Sequence, residues 1–165
     1  MTISFVPSPE TDRAYRDALG CFATGVTVVT VPGTDGPVGM TVNSFSSISL
    51  DPPLVLWSPA KTSHRFPQFN AASHFAIHVL KDDQTQIALD FARDSNAFDR
   101  ISWHENTSGV PLFDDCLARF ECTRHAAHDG GDHIILVGKV ERASLFSGSP
   151  LVFATGEFGG FKTGR

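Results

Sequence analysis

The chain has 165 residues, 41% of them hydrophobic and 19% charged, which suits one folded domain with a sizeable core and excludes a disordered chain. Its formal net charge is −5 and it contains no run of Lys or Arg, which argues against nucleic acid as a partner. The three cysteines, Cys21, Cys116 and Cys122, are odd in number and lack CxxC spacing. They argue against a disulfide framework or a zinc knuckle and for a reducing, cytoplasmic setting, and no signal peptide or membrane span is expected.

Residues 1–12 carry Pro7 and Pro9 and are expected to form an arm, followed by a single domain over 13–165. Thr11 or Asp12 caps a predicted helix running to Phe22, with Tyr15, Ala18, Leu19 and Phe22 on one face, as in a helix packed on a core. Gly25 is the candidate for stopping it. Residues 26–31, Val-Thr-Val-Val-Thr-Val, predict a buried strand. The stretch 32–37 is a turn by composition, and Val38 opens a second strand, so the two form a hairpin.

Residues 39–53, Gly-Met-Thr-Val-Asn-Ser-Phe-Ser-Ser-Ile-Ser-Leu-Asp-Pro-Pro, contain no charge before Asp51. Apolar residues alternate at both ends and slip by one near Phe45, which predicts a bulge or a bend between two strands. Pro52 and Pro53 then stop the pairing, since neither donates to a ladder. Thr41, Asn43, Ser44, Ser46 and Ser47 offer donors and acceptors without charge. They suit a neutral, flat, heteroatom-rich ring with a phosphate tail, but taken on the residues alone the plainer reading, a polar sheet edge facing water, comes first.

Residues 54–57 predict another strand. Lys61 is the first Lys or Arg after Arg16 and stands beside Thr62 and Ser63, so it is a candidate to hold a phosphate oxygen, with Arg65 as a second cation. Residues 64–70 form a short predicted helix with Phe66 and Phe69 inward, and 74–80 a strand. Asp82 or Asp83 caps a helix to Arg93, with Asp83 and Gln86 spaced as a capping box. Residues 94–109 are expected as an irregular excursion with one helical turn, anchored by Phe98, Ile101 and Trp103. Two long antiparallel strands flank 124–133, and a turn at 147–150 leads to a last strand and a tail rich in Gly and Phe.

The run 39–55 resembles the flavin-binding segment of the flavin reductase-like family, the small NAD(P)H:flavin oxidoreductases that serve two-component monooxygenases. Lys61-Thr62-Ser63-His64, Phe91-Ala92-Arg93 and Gly131-Asp132-His133 resemble further segments of the family, in the same order along the chain. The resemblance implies a mainly β, flavin-binding split β-barrel with flanking helices, usually a homodimer with flavin near the subunit interface. It implies hydride transfer from nicotinamide to FMN or FAD with no side-chain acid or base, NADH or NADPH as donor, and a partner monooxygenase that takes the reduced flavin. Flavin contacts are expected from Met40, Thr41, Val42, Asn43, Ser44, Ser46, Ser47, Lys61, Thr62, Ser63, Phe66 and Arg93. Nicotinamide contacts are expected from His133, Asp132 and Phe158, with Phe153 a weaker choice. Glu157 beside Phe158 would disfavour a 2′-phosphate, which tilts the expectation towards NADH.

Rival chemistries find less support in the residues. His125, His128, Asp129, Asp132 and His133 crowd together, but their spacing fits no zinc pattern, and an odd offset puts His125 and His128 on opposite strand faces. The chain lacks the Gly-x-Ser-x-Gly elbow of a hydrolase and the Gly-x-Gly-x-x-Gly of a Rossmann fold. A non-catalytic flavin-binding or sensory module and a pyridoxamine-oxidase-type enzyme remain as alternatives on the same barrel.

Overall fold

A computed structural model of the chain describes residues 2–93 and 95–164, without the side chains of 95 and 96. Among these residues, strands dominate. They are β1 (Thr24–Gly25), β2 (Thr27–Gly33), β3 (Gly36–Val42), β4 (Ser46–Leu50), β5 (Pro53–Trp57), β6 (His74–Val79), β7 (Trp103–Glu105), β8 (Pro111–Phe113), β9 (Ala118–Gly130), β10 (His133–Leu145), β11 (Leu151–Ala154) and β12 (Glu157–Gly160). The α-helices are α1 (Asp12–Gly20), α2 (Phe66–Ala71) and α3 (Thr85–Arg93). The mainly β expectation holds. No helix among the described residues is long and apolar enough to cross a membrane.

The run at 26–31 is β-branched and buried throughout because it separates two cores. Val29 and Val31 pack with Trp57, Phe69, Phe75, Ile77 and Leu136, whereas Val26 and Val28 pack with Leu80, Phe91, Phe98, Phe113 and Leu151. A strand buried on both faces reads as a continuous apolar run. It pairs with β3 on one side and β6 on the other within a seven-stranded sheet ordered β3-β2-β6-β9-β10-β5-β4.

Strands β3 and β4 stand at the two ends of that order, yet only residues 43–45 join them. Six strand spacings in a flat sheet would separate them by about 29 Å. The link reaches about 14 Å at most, at roughly 3.5 Å per residue. The sheet therefore has to curl until its edges approach, which gives the expected split barrel, with no ladder joining β3 to β4. The predicted slip at Phe45 is this crossing, and the Phe45 ring stacks on Phe120 of β9 with centroids 5.6 Å apart.

Several expectations need correction. The first helix ends at Gly20 and buries none of its residues; Tyr15, Leu19 and Phe22 are exposed, so its apolar face does not pack on the core. Gly25 lies in β1, paired with Val152, and does not cap the helix. Gln86 donates to Asp90 one turn on at 2.9 Å, so it forms no box with Asp83; the loop before α3 is instead held by the Lys81 N–H donating to the Gln84 side chain at 2.9 Å. The excursion at 94–109 holds the expected helical turn as a 3-10 helix, Ser95–Arg100, but also a strand, β7, which pairs with β8. The two long strands continue to a turn at Gly131-Asp132, where Gly131 takes a φ of +81° that suits glycine.

His78 of β6 is fully buried between β2 and β8. Its Nδ1 lies 3.1 Å from the Val28 carbonyl, and its Nε2 accepts the Phe113 N–H at 3.1 Å. That pattern requires the neutral ring with the proton on Nδ1. Burial pushes the imidazole down to about 3. In the unfolded chain a histidine titrates near 6.5, so between these values only the unfolded chain takes the proton. Stability is fully present above about pH 6.5 and falls as the pH drops towards 3, by up to about 1.4 kcal/mol per pH unit from this residue. Urea unfolding from pH 7 to pH 4 should show that slope. His78→Gln, less stable at pH 7, should lose its His78 share.

Candidate functional site

The end of β3 is held from three sides. Gly39 lies against α3 so closely that a Cβ there would stand 2.5 and 2.6 Å from two carbons of the Phe91 ring. The Thr41 hydroxyl donates to the Ala88 carbonyl at 2.7 Å, and the Thr27 hydroxyl donates to the Val42 carbonyl at 3.0 Å. Arg65, buried to 6% exposure, donates to the carbonyls of Gly39 at 2.7 Å and Phe91 at 2.6 Å, and to that of Ala92 at 3.3 Å. Its charge thus faces the carbonyl end of α3, where the helix dipole favours a cation. Arg65 is therefore a clamp between β3 and α3, buried against carbonyls, and not the open second phosphate cation that the sequence suggested.

Past this clamp the strand ends in a groove. A cavity of about 180 Å³ is lined by Val26, Thr41, Val42, Asn43, Phe153 and Phe158. The Phe153 and Phe158 rings form its aromatic side, centroids 5.2 Å apart. A second hollow of about 250 Å³ shares Asn43 and Phe153 and continues along Arg16, Leu19 and Phe22 of the α1 region. Together they reach the size range of small-molecule sites, about 300–1,000 Å³. The exposed Asn43 amide has no partner among the described residues and stands where the two hollows meet.

A polar edge adjoins the groove. The Ser44 hydroxyl accepts the Ser58 N–H at 2.9 Å, which ties the link to the end of β5. Three residues on, the Lys61 N–H donates to the Asp132 carbonyl at 2.9 Å, and Ala60 bridges to His133. The Lys61 and Gly131-Asp132-His133 segments, seventy residues apart in sequence, are thus backbone neighbours. The Lys61 ammonium is paired with the Asp129 carboxylate, whose hydrogen bond holds that carboxyl below the usual range. His133 Nδ1 lies 2.7 Å from an Asp132 oxygen. Asp132 is likewise held low, first by its hydrogen bond to His133 and most weakly by the charge of Arg16.

The remaining candidates are spread more widely. Ser63 turns inward on its own loop, its hydroxyl accepting the Arg65 N–H at 3.3 Å, whereas Thr62 is exposed. Met40 packs against the barrel core and Phe66 begins α2, half-buried. Arg93 is exposed at the end of α3. Ser46 and Ser47 lie on the exposed strand β4, across the split from β3. Sequence reasoning missed Val26, Arg16 and Asp129. Val26 reads only as core and Arg16 only as one member of an Asp12 pair on a helix surface. Asp129 had a signal, its place two residues before Gly131-Asp132-His133.

Gly39→Ala should cost about 1–3 kcal/mol, because the added methyl meets an aromatic ring wedged edge-on against Phe98. Thermal unfolding checks this, with Gly25→Ala, where an added Cβ meets nothing, as the near-neutral control.

Comparison with known proteins gives concordant results. Residues 19–162 match the family described as flavin reductase like domain. The chain is 59% identical over 157 residues to the FMN reductase (NADH) SmoA of Agrobacterium fabrum, covering 95% of this chain and 90% of that protein. It is 50% identical over 131 residues to the reductase component of the flavin-dependent trigonelline monooxygenase of Acinetobacter baylyi. That match covers 78% of this chain but 42% of the longer protein. Among solved structures, the NADH:FAD oxidoreductase SgcE6 of Streptomyces globisporus, in complex with NAD and FAD fragments, superposes with a TM-score of 0.88 at 38% identity. The match covers 96% of this chain and 98% of that one.

Proposed function

Since the chain belongs to the flavin reductase-like family, we propose that it is an NADH-dependent flavin reductase that supplies reduced FMN or FAD to a partner monooxygenase. The observation that carries this reading is the groove at the end of β3, where Asn43 stands between Phe153 and the polar edge of Lys61 and His133. Residues 13–165 serve as the reductase domain and 1–12 as an arm. The nicotinamide supplies a hydride and the flavin accepts it, so the chain needs no nucleophile of its own.

What the protein contributes is position. Two flat rings have to lie face to face with reacting atoms about 3–3.5 Å apart. Phe153 and Phe158 offer an aromatic wall for one ring, and the backbone of 41–43 offers polar groups for the heteroatom edge of the other. The Asn43 amide suits a ring carbonyl or N–H, since it can donate and accept. Thr41 acts through its backbone, because its hydroxyl is already bonded to Ala88. Lys61, with Thr62 beside it, faces the flavin phosphate. His133, steadied by Asp132, meets the nicotinamide.

NADH is preferred over NADPH because the exposed Glu157, next to Phe158, repels a 2′-phosphate. The reductase works as a homodimer in the cytoplasm. Support for the dimer comes from Tyr15, Leu19 and Phe22, which are 42%, 58% and 80% exposed along one side of α1 and its exit. Support for a reducing compartment comes from the three unbridged thiols.

Purified protein should oxidise NADH rapidly only when FMN or FAD is added, followed by the loss of NADH absorbance. Flavin binding without nicotinamide turnover would instead favour the sensory alternative. His133→Ala should raise KM for NADH about tenfold, equivalent to ~1.4 kcal/mol, with a smaller effect on KM for flavin. Unchanged NADH kinetics would remove His133 from the site.

A further inference from the structure

We propose that Asp129 sets how tightly the site holds a phosphate-bearing flavin, by competing with that phosphate for the Lys61 ammonium. The proposal rests on the reading that Lys61 faces the flavin phosphate. Lys61 is ion-paired with Asp129 across the surface, the lysine side chain 37% and the aspartate 77% exposed. The backbone beneath the lysine is fixed. Its N–H is bonded to Asp132, Ala60 bridges to His133, and the Ser63 N–H donates to the Ala60 carbonyl at 3.1 Å. A lysine on such a root has three donors on a flexible four-carbon stem, so it can turn from a carboxylate to a phosphate oxygen without moving the chain.

Asp129 is held near the lysine by its own strand, since it lies on β9 paired with Ile134 of β10. It therefore remains close by as a rival when a phosphate arrives. Its carboxyl is ionised at neutral pH, so it competes at full charge. A phosphate carries more negative charge than a carboxylate and wins the lysine, but against opposition. The result is moderate affinity, which suits a flavin that must leave once reduced. An exposed pair of this kind changes an equilibrium by at most about fivefold.

The test compares FMN with riboflavin, which has the same ring without the phosphate. Dissociation constants are measured by flavin fluorescence quenching at low salt for the full chain, Asp129→Asn, Lys61→Gln and the double variant. Asp129→Asn should lower the FMN constant on the order of threefold and leave riboflavin unchanged, and added salt should shrink the difference. Lys61→Gln should weaken FMN towards riboflavin, and Asp129→Asn should then add nothing. If Asp129→Asn alters both ligands alike, or weakens FMN, Asp129 only shapes the turn and the proposal fails while the Lys61 reading stands. If Lys61→Gln leaves the FMN-to-riboflavin ratio unchanged, the Lys61 reading fails and takes the proposal with it.

Discussion

Three residues, 43–45, must bridge the two edges of a seven-stranded sheet, and that short reach governs the rest of the molecule. Because the link cannot span a flat sheet, the two sheet edges are drawn together at this end, and each residue of the link has a separate task. Phe45 turns inward and stacks on Phe120. Ser44 bonds to Ser58 and so registers the link against β5. Asn43 is left facing the groove. One constraint thereby supplies part of the barrel core, the attachment of the Lys61 loop and a polar group for a ligand.

The end of β3 is also kept rigid from behind. Gly39 admits the Phe91 ring, Thr41 bonds to the backbone of α3, and Arg65 ties carbonyls of strand and helix together. A buried guanidinium is tolerated because it meets several carbonyls at hydrogen-bond distance at the negative end of a helix dipole. Hydroxyl-rich sequence near a proposed ligand therefore does not mean that every hydroxyl faces it. Thr41, Ser44 and Ser63 spend theirs on the frame that holds the groove, while Thr62 and Asn43 stay outward.

Much of the fold was legible in local pattern. The β-branched run at 26–31, the alternation at 74–80 and the helix ending at Arg93 appear where their periodicities place them. The first helix was found, but its role was not. Its apolar spacing is the same whether the face meets this chain's core or something else, and here none of the helix's residues is buried among the described residues. The helical turn expected within 94–109 is the 3-10 helix Ser95–Arg100, whereas β7 and its partner β8 show no sequence signal, because three-residue strands carry too few positions to show a period.

The sequence by itself determined the sheet-rich class, the strand order along the chain and the family, because those rest on short-range periodicity and on motifs read in one dimension. It also singled out Asn43, Lys61, His133 and Phe158. Only the tertiary structure decided that Lys61 and Asp132 are backbone neighbours, that Arg65 is a buried clamp, and that Asp129 holds the lysine. Those facts depend on antiparallel β5 and β10 bringing together segments seventy residues apart, and on which polar groups a curled sheet leaves facing carbonyls or water. A linear pattern fixes which way a side chain points from its own strand, but not what another strand puts opposite it.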